Sequence, residues 1–382
     1  MAEKVELYPS TPPMTGFFSA WHGTAPFDLQ SLMMSEEKLY AFYGKIFNRP
    51  APAPYGVFLP ENPVNAGGGM ELFGSFVATF GPKTQLDDLK ITLAHEMLHT
   101  VVGALDKPEG LTSSWYSEGI AVYYARLLAL RAGQVTPAQF LQNLNTPAGR
   151  YYTDDIIAMP NAEIPERFWA DTRIRVLPYD RGSKYFAVVD EEVHAASGGK
   201  RTLDDLLLAM RGCRKQQLSV DEDAWVSLVT KELGEKGKTE FDSMLTGATQ
   251  LPDSDAFGPC FTRTTRMLRR YQLGFPEGPG RAQADHLRSD SELGSRTCRS
   301  AKWRRNHSAG SSGPHSRRPA RTFNAQASTR RPAARDHLPA SWERNRSLSM
   351  DANRKSARQR LHFLEADLQV KAKTGCANGK RT

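Results

Sequence analysis

Apolar positions recur with helical spacing over most of the first 245 residues and take on strand character in two short places. Residues 1–34 are rich in Pro, Phe and Trp without a clear period, and are expected as extended segments packed on the domain. A helix is predicted from a Ser35 cap to about Asn48, with Glu36 and Glu37 in its first turn and Leu39, Phe42, Tyr43, Ile46 and Phe47 on one face. Pro50, Pro52 and Pro54 end it. Tyr55 to Leu59 reads as a strand, and the aromatic and β-branched run up to Phe80 as a second. Gly67, Gly68 and Gly69 before that second run let a backbone come very close to something. Thr84-Gln85-Leu86-Asp87 resembles a capping box and opens a helix to about Val102. After a turn, a helix from about Ser114 to Arg131 shows Ala121, Tyr124, Leu127 and Leu128 as its apolar face.

The second half reads as helical. Thr136-Pro137 starts a short helix in the favoured cap-then-proline order, and the chain is then irregular until Pro178-Tyr179-Asp180-Arg181-Gly182. Helical signals follow over Tyr185 to Ala196, from Thr202 through Met210, from Ser219 through Val229, and over Phe241 to Leu245. Past about Gly278 the periodicity fades into Arg, Ser, Ala, Pro and His, which cannot bury enough apolar surface to offset ordering. Disorder is expected there, apart from a short helix near Ala357 to Lys371.

Composition changes this picture in one respect. The net charge of +8 conceals an asymmetry: residues 281–382 carry 23 Lys and Arg against 8 Asp and Glu, so the preceding 280 residues are mildly acidic. A basic arm for nucleic acid needs interleaved aromatics or a recognisable module, which the tail lacks, so a solvated tail is favoured and nucleic acid is not an expected partner. Four scattered cysteines make no disulfide framework. No apolar run reaches the roughly 18 residues of a membrane span, and the first residues lack a signal-peptide core. Taken at face value, the chain is soluble, not exported, and expected in the cytoplasm.

The chemistry concentrates in Leu93-Ala94-His95-Glu96-Met97-Leu98-His99-Thr100, an HExxH pattern. Positions i and i+4 share a helix face, so His95 and His99 can aim at one point, with Glu96 beside it. Neutral imidazoles are good zinc ligands, and the carboxylate can take a proton from water that a metal ion has acidified. A third ligand is required, and Glu118 supplies it from the next predicted helix, nineteen positions after His99. Two histidines, a carboxylate and one open position describe a catalytic rather than a structural zinc site. One Zn2+ ion is therefore the expected cofactor.

Four motifs, in this order and spacing, carry a resemblance: Gly67-Gly68-Gly69-Met70-Glu71, His95 to His99, Trp115-Tyr116-Ser117-Glu118-Gly119 and Pro178-Tyr179-Asp180-Arg181-Gly182. Residues from about Gly16 to Pro276 resemble the catalytic part of the glycyl aminopeptidase family of zinc peptidases, and more distantly the aminopeptidase N and leukotriene hydrolase family. The resemblance implies an α+β, thermolysin-like catalytic domain that hydrolyses peptide bonds, with peptides as partners. It places zinc on His95, His99 and Glu118, the general base at Glu96 and an oxyanion-stabilising hydroxyl at Tyr179. It also implies that Gly67, Gly68 and Gly69 pair with the substrate backbone and that Glu71 meets a free amino terminus. Leu72 stands where these families have Asn or His after that glutamate, and there is no room for their usual flanking domains. The expected organisation is a sheet-bearing subdomain over 1–135, a helical subdomain over 136–277 carrying Tyr179, and the tail over 278–382.

Blander readings stand beside these. Tyr179 can be a core tyrosine, Glu71 a strand-edge carboxylate, Arg181 a solvated charge, and His22 and His194 packing or surface residues. Trp115, Tyr116, Tyr123 and Tyr124 read as core. The leading function is an aminopeptidase releasing small amino-terminal residues. Its rivals are a zinc endopeptidase and a catalytically impaired peptide-binding relative.

Overall fold

In a computed structural model, which describes residues 4–49, 54–258 and 260–268 together with the backbone of 346–352, the two predicted strand regions lie in one five-stranded sheet. Its strands are β1 (Glu6–Tyr8), β2 (Phe17–His22), β3 (Tyr55–Pro60), β4 (Gly69–Leu72) and β5 (Ser75–Ala78), in the order β1-β2-β3-β5-β4. The inner pairs β2/β3 and β3/β5 are parallel, whereas β1 and β4 run antiparallel to their neighbours at the two edges. Central β3 is apolar along its length, and Tyr55, Val57 and Leu59 are fully covered, as a parallel strand between two layers requires. The run from Gly67 to Phe80 is a hairpin rather than one strand. Leu72 faces Ser75 across Phe73-Gly74, and Gly74 takes the positive φ of +60° that so tight a turn demands.

Helix α1 (Leu29–Ile46) begins earlier than the Ser35 cap predicts, because Asp28 caps it by accepting from the Ser31 amide at 3.1 Å. Leu29, Leu32 and Met33 thereby join Leu39, Tyr43 and Ile46 on its buried face, and Ser35 lies mid-helix, its hydroxyl donating to Gln134. Helix α2 (Leu86–Val102) lies against β4 and β5, and α3 (Ser114–Arg131) lies against α2. The expected box at Thr84 does not form, since that hydroxyl accepts from the Gly81 amide at 2.9 Å instead.

Helices α4 (Pro137–Tyr152), α5 (Ile164–Arg167), α6 (Thr172–Ala196), α7 (Leu203–Lys215), α8 (Glu222–Leu233) and α9 (Glu235–Leu245) follow. Pro178 lies inside α6, so the PYDRG stretch is helical where the sequence reads as irregular. Asp171 caps α6 two turns earlier, accepting from the Arg173 amide at 2.8 Å, and packing along α3 holds the helix through the proline. The aromatic residues of the PYDRG-following turn and the WYSEG motif build the core between α3, α6, α8 and α9. Trp115 meets Phe241 at 5.2 Å, Phe186 meets Trp225 at 5.4 Å, and the Trp225 indole donates to the Tyr185 hydroxyl at 2.9 Å.

Among the described residues the second half also holds two strands, β6 (Phe261–Met267) and β7 (Arg346–Ala352), paired antiparallel. The latter lies within the expected disordered tail, and its Leu348, Met350 and Ala352 alternate with polar residues, a short period-2 pattern inside an otherwise aperiodic region. The rest of the tail expectation, including the helix near Ala357 to Lys371, lies outside the described residues. The described residues fall in a unit spanning 1–269 and 345–382; a second unit, 270–344, lies outside them. Among the described residues no helix is long and apolar enough to cross a membrane.

Candidate metal centre

Leu89, Leu93, Ala94, Met97, Leu98 and Val101 seat α2 in the core, and this leaves His95 and His99 on its adjacent face, each with a small part of its side chain exposed. Helix α3 crosses beside them, anchored by buried Trp115, Tyr116, Ile120 and Tyr124, and presents Glu118. The Nε2 atoms of His95 and His99 are 3.0 Å apart, and Glu118 Oε2 lies 3.1 Å from the first and 3.4 Å from the second. Three donors around an ion at zinc bond lengths of about 2.0–2.2 Å would be separated by about 3.3–3.6 Å, so this trio fits such an ion with little adjustment. His95, His99 and Glu118 are a potential metal-holding group among the described residues.

Burial pulls the Glu118 carboxyl up, but hydrogen bonds to His95 and His99 outweigh it and hold it at about 2. Burial likewise lowers His95, whereas at His99 its effect is overcome by the bond to Glu118 and by the charges of Glu118, Glu96 and Glu71. Three carboxylates therefore surround two imidazoles, an excess of negative charge that suits a dication.

Glu96 is 8% exposed, and burial, reinforced by Glu118 and Glu71, pushes it up to about 7. That value matches a group required to accept and return a proton near neutrality. Its side chain lies directly on Gly69 of β4: a Cβ there would stand 2.4 Å from Glu96 Oε1. The close approach that the glycine run predicts is thus between Gly69 and Glu96. Gly67 has φ +85° and donates to Thr79 O at 2.8 Å, while Gly68 lies beside the Asn65 side chain. Strand alternation puts Glu71 on the same side of β4 as Gly69, and Met70 and Leu72 on the other. Glu71 is raised by burial and feels both His99 and Glu118.

Tyr179 stacks on His95 with 6.1 Å between centroids and 11° between planes. Its hydroxyl is pushed well up, by burial first and then by the negative charges of Glu118 and Glu96. What brings α6 so near is a pair of glycines that sequence reasoning left without a role. A Cβ on Gly182 would lie 2.3 Å from the Trp115 carbonyl oxygen and 2.8 Å from Gly119 Cα, so the two helix backbones touch. Glu118 is one residue from Gly119, and Tyr179 is one turn from Gly182. The signal was present as a glycine closing each motif, but it becomes legible only when the two helices are seen to cross.

Other PYDRG residues brace α6. Asp180 is buried and receives two hydrogen bonds of 2.7 Å from Arg150. Arg181 is 0% exposed rather than solvated, donating to Asn161 and, at 2.6 Å, to the Ile157 carbonyl.

Residues 89–159 match the M61 glycyl aminopeptidase family. That stretch contains His95, Glu96, His99 and Glu118, and the resemblance expected from the motifs is found there. Among solved structures, an aminopeptidase N family protein from Idiomarina loihiensis is similar at 15% identity and a TM-score of 0.54, over 66% of this chain and 48% of that one. An M1 zinc metallopeptidase from Deinococcus radiodurans is similar at 16% identity and a TM-score of 0.44, over 65% of this chain and 54% of that one. Yeast LTA4 hydrolase is similar at 18% identity and a TM-score of 0.42, over 60% and 37%. The first of these likenesses shows the fold: a mixed α+β domain with a small sheet and many helices. This chain spans about half the length of the first two structures. Among curated proteins none matches it.

Proposed function

We propose that the chain is a zinc-dependent peptidase of thermolysin-like architecture, acting as an aminopeptidase on small amino-terminal residues. The observation that carries this reading is the convergence of His95, His99 and Glu118 on one point, with buried Glu96 and half-buried Tyr179 flanking it. Residues 1–135 would supply the metal ligands and the base, and residues 136–277 the tyrosine and its bracing.

One ion held by His95, His99 and Glu118 supplies Lewis acidity toward a carbonyl and lowers the pKa of water to about 7. Glu96 accepts the proton of the attacking water and returns it to the leaving amine, a task suited to a buried carboxyl beside the metal ligands. Tyr179 donates to the carbonyl oxygen as charge develops there, and its raised pKa keeps the hydroxyl protonated throughout. Gly67 and Gly68 leading into edge strand β4, and Gly69 within it, align the substrate backbone, and Glu71 receives the free ammonium of the first residue.

The test is cleavage of a peptide library, half with free and half with acetylated amino termini, by zinc-supplied wild type and Glu96→Gln, read by mass spectrometry. Cleavage confined to free termini and lost in the variant is expected. Cleavage of both halves would make the protein an endopeptidase, and an inert wild type would leave a peptide-binding relative as the better description.

A further inference from the structure

One turn before Tyr179 on α6, at a spacing of four that puts two side chains on the same helix face, stands Arg175. Its guanidinium lies over the ring of Trp169, 6.0 Å from the centroid, and that indole is 70% exposed. The other arginines of this segment are matched by acids: Arg173 by Asp171 and Asp155, and Arg167 by Glu163. Among the described residues Arg175 has no carboxylate partner, and its hydrogen bond is a long one, from Nη2 to Thr172 Oγ1 at 3.5 Å. Its charge is felt at the Tyr179 hydroxyl, opposite in effect to Glu118 and Glu96. A half-buried cation without an acid, backed by an exposed aromatic face, therefore stands one helical turn from Tyr179, beside a centre where Glu71, Glu96 and Glu118 gather.

We infer that Arg175 is a specificity-determining residue that binds a substrate carboxylate on the leaving-group side of the scissile bond; this rests on the peptidase reading above. Charge fixes the side. Glu71 on β4 repels an anion and suits the ammonium end, so an acidic group is accommodated only toward α6. Reach fixes the position. One helical turn is about 5.4 Å, and successive residues of a peptide are about 3.8 Å apart, so the carboxylate belongs to the first or second residue after the bond. It can be the terminal carboxylate of a very short peptide or an acidic side chain at that place. Trp169, whose ring lies beside the Arg175 guanidinium, offers the same residue an apolar face.

The experiment uses the zinc-loaded full chain and three peptides identical up to the scissile bond: one ending in a free carboxylate two residues on, its carboxamide, and a carboxamide with Glu directly after the bond. Wild type should favour an anionic peptide over the neutral one by about tenfold in kcat/KM, mostly through KM, the scale of one charged hydrogen bond. In Arg175→Ala that ratio should fall to about one, and Arg175→Lys should restore part of it. Preference for the free carboxylate alone identifies very short peptides as the class, and preference for both anionic peptides identifies any carboxylate at that position. A ratio near one in wild type, or a ratio unchanged in Arg175→Ala because all three peptides slow together, would overturn the assignment and leave Arg175 acting on Tyr179 or on the fold. Failure of wild type to cleave any of the three peptides would instead overturn the peptidase reading, and this inference with it.

Discussion

Replacing Gly182 by alanine adds one methyl group at the place where α3 and α6 touch. The new Cβ would lie 2.3 Å from the Trp115 carbonyl oxygen and 2.8 Å from Gly119 Cα, where ordinary contacts begin at 3.4 Å. Because the obstructing atoms are backbone, they cannot rotate aside, and the helices must part by about 1 Å. Overpacking of this kind costs about 1–3 kcal/mol, and a rigid obstacle argues for the upper end. Against it stands the better helix propensity of alanine, about 1 kcal/mol. The net expectation is a destabilisation of about 2 kcal/mol. Gly212→Ala is the control, since Gly212 also lies within a helix and its Cβ would meet nothing within 4 Å. There the propensity gain stands alone, and the variant should be stabilised by about 0.5–1 kcal/mol. Urea unfolding followed by tryptophan fluorescence, with chelator present so that metal binding does not contribute, measures both. The reasoning is refuted if the two variants shift stability in the same direction, or if Gly182→Ala is neutral.

Further expectations follow from buried groups. Glu36 on α1 is 3% exposed with Oε2 unpartnered, and burial holds its carboxyl at about 8 against a small pull from Lys90. The folded chain therefore retains a proton that the unfolded chain gives up near 4.5, so stability is fullest below about 4.5 and falls as pH rises to about 8. The loss is up to about 5 kcal/mol, at about 1.4 kcal/mol per unit. Glu36→Gln should flatten this dependence and exceed wild type at pH 9; identical urea midpoints there would refute the assignment. Gly69→Ala places a Cβ 2.4 Å from Glu96 Oε1 and should lower kcat at least tenfold while the thermal midpoint moves little, because the displaced group is a side chain on an exposed edge strand. An unchanged kcat would dissociate Gly69 from the chemistry.

The parts of the site legible in sequence are those written in local spacing. His95 and His99 share a helix face because of an i, i+4 interval, and Glu118 falls on a helix whose bounds, Ser114–Arg131, are those read from its apolar pattern. Features that depend on distant residues were not legible. Nothing near Pro178 says that α3 will support a helix through it, and nothing near Gly119 says that Gly182 will be its neighbour. Arg181 reads as a solvated charge until Asn161 and the Ile157 carbonyl close around it. The late start predicted for α1 has a different cause. Asp28 was a cap in plain view, but the aromatic, proline-rich stretch before it masked the period that begins at Leu29.

The central claim is that one zinc ion at His95, His99 and Glu118 makes this chain a hydrolase through Glu96. Its most direct test is a zinc titration of the metal-free protein with bound metal and peptide hydrolysis measured in the same samples. Hydrolysis should rise in proportion to bound zinc and level off at one ion per chain, and Glu96→Gln should bind the same amount while cleaving about 10²–10⁴-fold more slowly. Hydrolysis that is independent of zinc, or an equal rate in Glu96→Gln at full occupancy, would contradict it.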